Sequence, residues 1–207
     1  MASSINLTWN FAIPVFFKQV EGFENLRQQL LELIYRKKEE SLPSSNANRM
    51  NATWQTDYNM HLWKEPVMAD LLALIGEFSS ECINSCSNFH TLTGDVLITG
   101  CRASVRGYTA WSSPHQHLGE HWAGVLYVSV EECFDDPDQT DLGGRIELVN
   151  PNRLAKLSGF QGSMAHTPKD GLMVLFPGYL EHMIHPNLSH HDRVAINFFI
   201  NVRGTSG

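Results

Sequence analysis

No stretch of this sequence approaches the roughly 18 consecutive apolar residues that a membrane-spanning helix needs, and Met1-Ala2-Ser3-Ser4 does not open a basic segment leading into an apolar one. Neither a membrane span nor an export signal is expected, and the chain reads as a soluble, cytoplasmic protein. Basic charge is also scarce. Fifteen Lys and Arg face 22 Asp and Glu, a formal net charge of -7, and the longest basic cluster, Arg36-Lys37-Lys38, is answered at once by Glu39-Glu40. That balance argues against nucleic acid as a partner. Cysteine is sparse: Cys82, Cys86, Cys101 and Cys133 are the only four. Without an export signal, reduced thiols are the default, and the spacing of Cys82 and Cys86 is not that of a zinc site. The sequons at Asn6, Asn51 and Asn187 then read as chance matches.

What is present is the material of a packed core. The 207 residues are 43% hydrophobic, with 11 Phe and 5 Trp, enough for one complete domain over 1–207 and too few for two ordinary ones. Leu7 to Phe17, apolar with Pro14 inside, suits an edge strand. Phe23, Leu26, Leu30, Leu33 and Ile34 form one helical stripe, and Met68, Leu71, Leu72, Ile75 and Phe78 form another on a helix starting near Pro66. Between them, Ser41 to Asn51 reads as a surface loop.

After about residue 90, short Val, Ile, Leu, Tyr and Phe runs alternate with Gly, Pro, Asn and Asp clusters. The predicted strands are Val96 to Thr99, Tyr108 to His117, Gly124 to Val130, Arg145 to Val149, Gly171 to Phe176 and Val194 to Val202. Helices first and strands afterwards indicate an α+β, mainly β domain. Residues 1–90 would supply an N-terminal strand and supporting helices, and 91–207 the β core.

Histidine is concentrated in that β half. His115, His117, His121, His166, His182, His185, His190 and His191 are eight of the ten in the chain. In Pro114-His115-Gln116-His117, residues two apart on an extended strand project to the same face, so one metal could meet both imidazoles. Further on, the apolar run 171–176 turns at Pro177-Gly178 and presents His182, with His185 three residues later. These two would point to opposite sides of an extended chain, so one of them is expected to bind. Three protein ligands leave coordination positions open for substrate.

The last strand supplies a different signal. Alternation places Val194, Ile196, Phe198 and Ile200 on one apolar face and Arg193, Ala195 and Asn197 on the other. An arginine on an inward face is expensive to bury unpaired. A carboxylate ligand would answer it through a bidentate pair, as would Asp170 or Glu181 of the protein itself.

His115-x-His117, Trp122-Ala-Gly-Val-Leu-Tyr127-Val, Gly143-Gly144-Arg-Ile-Glu-Leu-Val-Asn-Pro151, Leu175-Phe-Pro-Gly-Tyr-Leu-Glu-His182 and Arg193, in that order, resemble the 2-oxoglutarate and Fe(II)-dependent oxygenase superfamily. The likeness is to its small bacterial and phage prolyl-hydroxylase-like branch, and Trp54-Gln55-Thr56 and the helix near Leu71 to Phe78 share in it. The resemblance implies a double-stranded β-helix, or jelly roll, with two supporting helices. It also implies Fe(II) as metal, 2-oxoglutarate and O2 as cosubstrates, and hydroxylation of an aliphatic carbon of a small molecule, amino acid or peptide. His115 and His182 would be the first and distal iron ligands. Arg193 would grip the far carboxylate of 2-oxoglutarate, and Asn197 and Tyr127 match positions that assist.

The sequence departs from the family at the second ligand, usually Asp or Glu two residues after the first and here His117. Strand geometry favours His117, with Glu120 in the following loop as the alternative. Two rivals keep the histidines and drop the cosubstrate: a cupin-type three-histidine dioxygenase, and a non-catalytic β-helix module binding a small ligand. Arg193→Ala discriminates, since loss of cosubstrate binding belongs to the first reading alone. The remaining histidines, His121, His166, His190 and His191, read as surface, loop or supporting residues, and Trp111 and Trp122 as core, with pocket lining as the alternative. The loops Asp135 to Gly144 and Asn152 to Lys169 carry no substrate signature.

Overall fold

The apolar runs of the second half alternate because their strands are buried on both faces between different partners. In the computed structural model, which describes residues 12–41, 53–86, 94–130 and 143–204, the chain begins with β1 (Phe16–Gln19), α1 (Glu24–Glu40), β2 (Thr53–Gln55) and α2 (Val67–Ser85). It continues with β3 (Gly94–Arg106), β4 (Ser112–His115), β5 (Trp122–Ser129), β6 (Ile146–Val149), β7 (Ser163–His166), β8 (Leu172–Pro177), β9 (His182–Ile184) and β10 (Arg193–Gly204). A six-stranded sheet in the order β1-β8-β5-β10-β3-β2 faces a four-stranded sheet in the order β4-β9-β6-β7, and every pairing is antiparallel. This is the expected jelly roll, with α1 and α2 as its supporting layer.

Period-two alternation divides the large sheet between two cores. Trp122, Leu126 and Val128 of β5, Met173 and Leu175 of β8, and Val194, Ile196, Phe198 and Ile200 of β10 pack with Leu30, Leu33 and Ile34 of α1 and Leu71, Ile75 and Phe78 of α2. The intervening Ala123, Val125, Tyr127, Val174, Phe176, Ala195 and Phe199 meet Ile146, Leu148 and Ile184 of the small sheet. Each core removes apolar surface from water, and the central strands take part in both. Arg27 of α1 ties the layers together through an ion pair with Asp170 at 2.9 Å and a hydrogen bond to the Val128 carbonyl.

Several predicted boundaries change. The run at Val96 to Thr99 extends to Arg106. The run at Tyr108 to His117 shrinks to Ser112–His115, because Thr109 turns at φ 65 and its N–H donates to the Asn187 carbonyl. The short strands β7 and β9 had no apolar run to announce them. Both helices run several residues past their predicted stripes. Residues 7–11 of the predicted first strand, most of the Ser41 to Asn51 loop and Cys133 lie outside the described residues. Cys82, Cys86 and Cys101 are free and buried, and burial pushes the Cys82 and Cys101 thiols up to about 12. Asn187 is buried too, its amide donating to the carbonyls of Arg106 and His191. Among the described residues no helix is long and apolar enough to cross a membrane.

Candidate metal centre

His115 ends β4 and His182 begins β9, and the antiparallel pairing of these strands sets the two residues directly opposite one another. Their ring centroids are 4.3 Å apart. His117, just beyond the end of β4, lies with its ring 5.1 Å from each of the other two. One ligand nitrogen from each residue lies within 4.8 Å of the others, the convergence that a single ion needs. The turn after His117 is fixed by backbone: the His117 N–H donates to the Gly178 carbonyl at 2.9 Å, and the Gly178 N–H to the His121 carbonyl at 3.0 Å. A Cβ at Gly178 would sit 2.2 Å from the Glu120 carbonyl oxygen and 2.9 Å from that of His117. Only glycine lets the β8–β9 turn approach this closely.

The ring nitrogens are assigned by their surroundings. Nδ1 of His115 lies 2.8 Å from the Ser113 carbonyl and Nδ1 of His182 lies 2.9 Å from the Leu180 carbonyl. A carbonyl can only accept, so Nδ1 carries the proton in both rings and Nε2 keeps the lone pair that a metal takes. Burial lowers all three pKa values, helped by the neighbouring histidines and by Arg102 and Arg106. His115 falls below its usual range, His117 to about 4 and His182 to about 3. The three imidazoles are therefore neutral at neutral pH, the form that ligates. Of the other sequence candidates, His185 turns away to Glu147 at 2.7 Å, and Glu120 accepts a 2.6 Å hydrogen bond from Thr99. Neither joins the cluster.

Around the three histidines lies a cavity of about 580 Å³, lined also by Arg102, Arg106, Asn197, Phe176 and Phe199. Arg193 opens β10 with 3% of its surface exposed. Its Nε–H donates to the Gly144 carbonyl at 3.1 Å, while its two terminal nitrogens have no hydrogen-bond partner among the described residues. The guanidinium lies over the Tyr127 ring, 4.9 Å from the centroid. Burial lowers the Arg193 pKa; Tyr127 works the other way, although no hydrogen bond of ordinary geometry joins its hydroxyl to the guanidinium. Asp170 and Glu181, the alternatives within the protein, pair instead with Arg27 and Arg153.

Two arginines of this site had not been anticipated. On β3, Cys101, Ala103 and Val105 face the helices, so Arg102, Ser104 and Arg106 face inward. The register with β10 sets Arg106 against Arg193, Ser104 against Ala195 and Arg102 against Asn197. The alternation of small apolar and polar residues over 101–106 was the available signal, and Gly100 obscured it by appearing to end the strand.

Residues 105–199 match the model of a family described as "Putative 2OG-Fe(II) oxygenase". Over this stretch the chain is similar to the 2OG-Fe(II) oxygenases. No curated protein sequence matches the chain. Among solved structures, a prolyl-4-hydroxylase from Pseudomonas putida is 14% identical, with 91% of this chain and 92% of that one aligned at a TM-score of 0.61. HygX from Streptomyces hygroscopicus, solved with nickel, 2-oxoglutarate and hygromycin B bound, is 13% identical over 91% of this chain and 82% of its own, at a TM-score of 0.63. A prolyl hydroxylase from Trichoplax adhaerens, in complex with a hypoxia inducible factor peptide, is 14% identical over 89% and 82%, at 0.57. At such identities the likeness carries the fold. The family match, with the triad of histidines inside it, supports an oxygenase of the iron and 2-oxoglutarate type.

Proposed function

We infer that His115, His117 and His182 hold Fe(II), and that Arg193, assisted by Tyr127 and Asn197, holds 2-oxoglutarate for hydroxylation of an aliphatic carbon in a small molecule, amino acid or peptide. The observation that carries this reading is the pair of unpartnered terminal nitrogens on Arg193. A fully charged guanidinium buried without an anion costs several kcal/mol, and its fork matches a carboxylate. The donor set fits the metal as well. The imidazoles are neutral, Nδ1 of His115 and His182 is tied to carbonyls, one ring nitrogen of each histidine lies within 4.8 Å of the others, and three ligands leave positions open. With no carboxylate among them, the ion keeps its full double charge, which favours an anionic chelator.

Bound together, Fe(II), 2-oxoglutarate and O2 supply oxidation of a C–H bond, coupled to decarboxylation of the cosubstrate to succinate. The protein's part is placement. Asn197 faces the cavity across from Arg102, and Phe199 packs edge-on to His117 at 4.6 Å between ring centroids. Phe176 packs in the same way against His182 at 4.8 Å. These rings keep water from the buried side of the ligands and fix their orientation. Anaerobic titration of the Fe(II)-loaded protein with 2-oxoglutarate tests the reading, followed by succinate release in air. Saturable binding with at least slow uncoupled turnover is expected. An Fe(II)-loaded protein that binds no 2-oxoglutarate would sink it.

A further inference from the structure

Resting on the reading above, we propose that Arg102 is the anchor for a carboxylate of the primary substrate, so that this enzyme oxidises small carboxylic acids in preference to neutral molecules. Arg102 lines the cavity and is half-buried, and its Nε has no hydrogen-bond partner among the described residues. No carboxylate lies within ion-pair distance of it among those residues. Its guanidinium lies over the Tyr58 ring, 4.3 Å from the centroid. Tyr58 packs on Phe199 at 5.3 Å and Phe199 on His117 at 4.6 Å, so an aromatic shelf runs from the arginine to a metal-side histidine. Tyr58 is 48% exposed, which puts this end of the shelf at the mouth, where a substrate enters.

Charge points the same way. The two negative charges of 2-oxoglutarate are met by Fe(II) and Arg193, because the three protein ligands are neutral. Arg106 and Arg102 are then left to be answered. Among the described residues Asp57 is the one acidic side chain lining the cavity, and it sits exposed at the rim without pairing to Arg102. A low-dielectric cavity with excess positive charge attracts anions. Arg102 is the one of these two that is open at the mouth. A single guanidinium beside an acidic rim suits a monoanionic carboxylate better than a doubly charged phosphate, and its planar fork accepts the two oxygens side by side.

The test uses the zinc-loaded protein, with and without 2-oxoglutarate, so that binding is read apart from turnover. Probes are free amino acids and short aliphatic monocarboxylates, each paired with its own primary amide, plus one phosphomonoester, followed by ligand-observed NMR. Wild type is expected to prefer acids over amides by tenfold or more. Arg102→Gln should remove that preference while leaving 2-oxoglutarate affinity within threefold, and Arg102→Lys, which keeps the charge, should retain part of it. Equal binding of acids and amides by wild type overturns the proposal. So does an acid preference that survives in Arg102→Gln, tighter binding of the phosphomonoester, or loss of 2-oxoglutarate with Arg102→Gln, which would assign Arg102 to the cosubstrate. Failure of wild type to bind 2-oxoglutarate strikes the function reading instead. An Arg102-dependent acid preference without the cosubstrate would still support the anion subsite.

Discussion

Replacing Arg193 by Met should move two measurements in opposite directions. In the protein without cosubstrate, the guanidinium is buried, makes one hydrogen bond to Gly144 and leaves two nitrogens unanswered among the described residues, with Arg106 across the strand pair. Met fills a similar volume and removes both the uncompensated charge and the repulsion from Arg106. The lost hydrogen bond costs about 1 kcal/mol, whereas relief of a buried unpaired charge is worth several kcal/mol. The variant should therefore be the more stable of the two, by about 1 kcal/mol or more. For a chain of this size each kcal/mol raises the melting temperature by roughly 2–4 °C. Cosubstrate binding should suffer instead. Truncating one partner of a buried charged pair costs about 2–5 kcal/mol, and a factor of ten is 1.4 kcal/mol, so affinity for 2-oxoglutarate should fall by about thirtyfold to a few thousandfold. Metal affinity should be unchanged. Scanning calorimetry of the metal-loaded proteins, with and without 2-oxoglutarate, reads both effects, because a ligand that binds only the folded state raises its melting temperature. If Arg193→Met melts lower than wild type without cosubstrate, and binds 2-oxoglutarate within threefold of wild type, Arg193 is a structural brace and the site has been misread.

The metal ligands divide by a simple stoichiometry measurement. His117→Asp should still hold one Fe(II) per chain, His182→Ala should lose it, and Glu120→Gln, whose carboxylate is engaged by Thr99, should leave it untouched; a Glu120→Gln variant that loses iron would reassign the second ligand. Gly178→Ala should weaken metal binding tenfold or more and lower the melting temperature by several degrees, because the new Cβ collides with the carbonyls of Glu120 and His117; wild-type values in both would show that the turn does not position His117. In the metal-free protein, His117 titrates at about 4 and His182 at about 3, below the ordinary 6.5. As pH falls through 6.5 the unfolded chain takes up protons that the folded one refuses, so stability is fully present above that value and drains between pH 6.5 and about 3. His182 alone accounts for about 2 kcal/mol by pH 5. Melting temperature against pH after chelation should show this fall, a slope that His182→Phe reduces; a flat wild-type profile would refute it.

The parts of the site legible in the sequence are those where one physical rule acts alone. His115 and His117 share a side because extended chain repeats every two residues, and Arg193 was recognisable because it interrupts an alternating apolar strand. His182 was open between two candidates until the pairing of β4 with β9 set it opposite His115 and sent His185 to Glu147. What could not be read depends on pairing across distant segments. Ser163–His166 is a strand only because Ile146–Val149 offers it a ladder, and nothing in Ser-Met-Ala-His announces one. Arg102 and Arg106 were hidden for a related reason. Of the residues between them only Ala103 and Val105 are buried against the helices, so no run of large apolar side chains marked the strand past Gly100.

The sign of the cavity shows why composition misleads at short range. Net charge is summed over the whole surface, and a value of -7 argues fairly against binding to a polyanion. A cavity is governed instead by the few charges that line or back it with little water between. Here Arg102, Arg106 and Arg193 come from two adjacent strands, and each burial is visible in a lowered pKa. Arg106 feels both other arginines as well as burial, and is pushed down to about 9. Protein carboxylates could have neutralised the group, yet Asp170 and Glu181 are spent on Arg27 and Arg153. An acidic protein that keeps three arginines without a carboxylate partner among the described residues, around a neutral set of metal ligands, stores a demand for anions at one place. 2-Oxoglutarate meets part of that demand. On the proposal for Arg102, the balance at the mouth selects the second substrate.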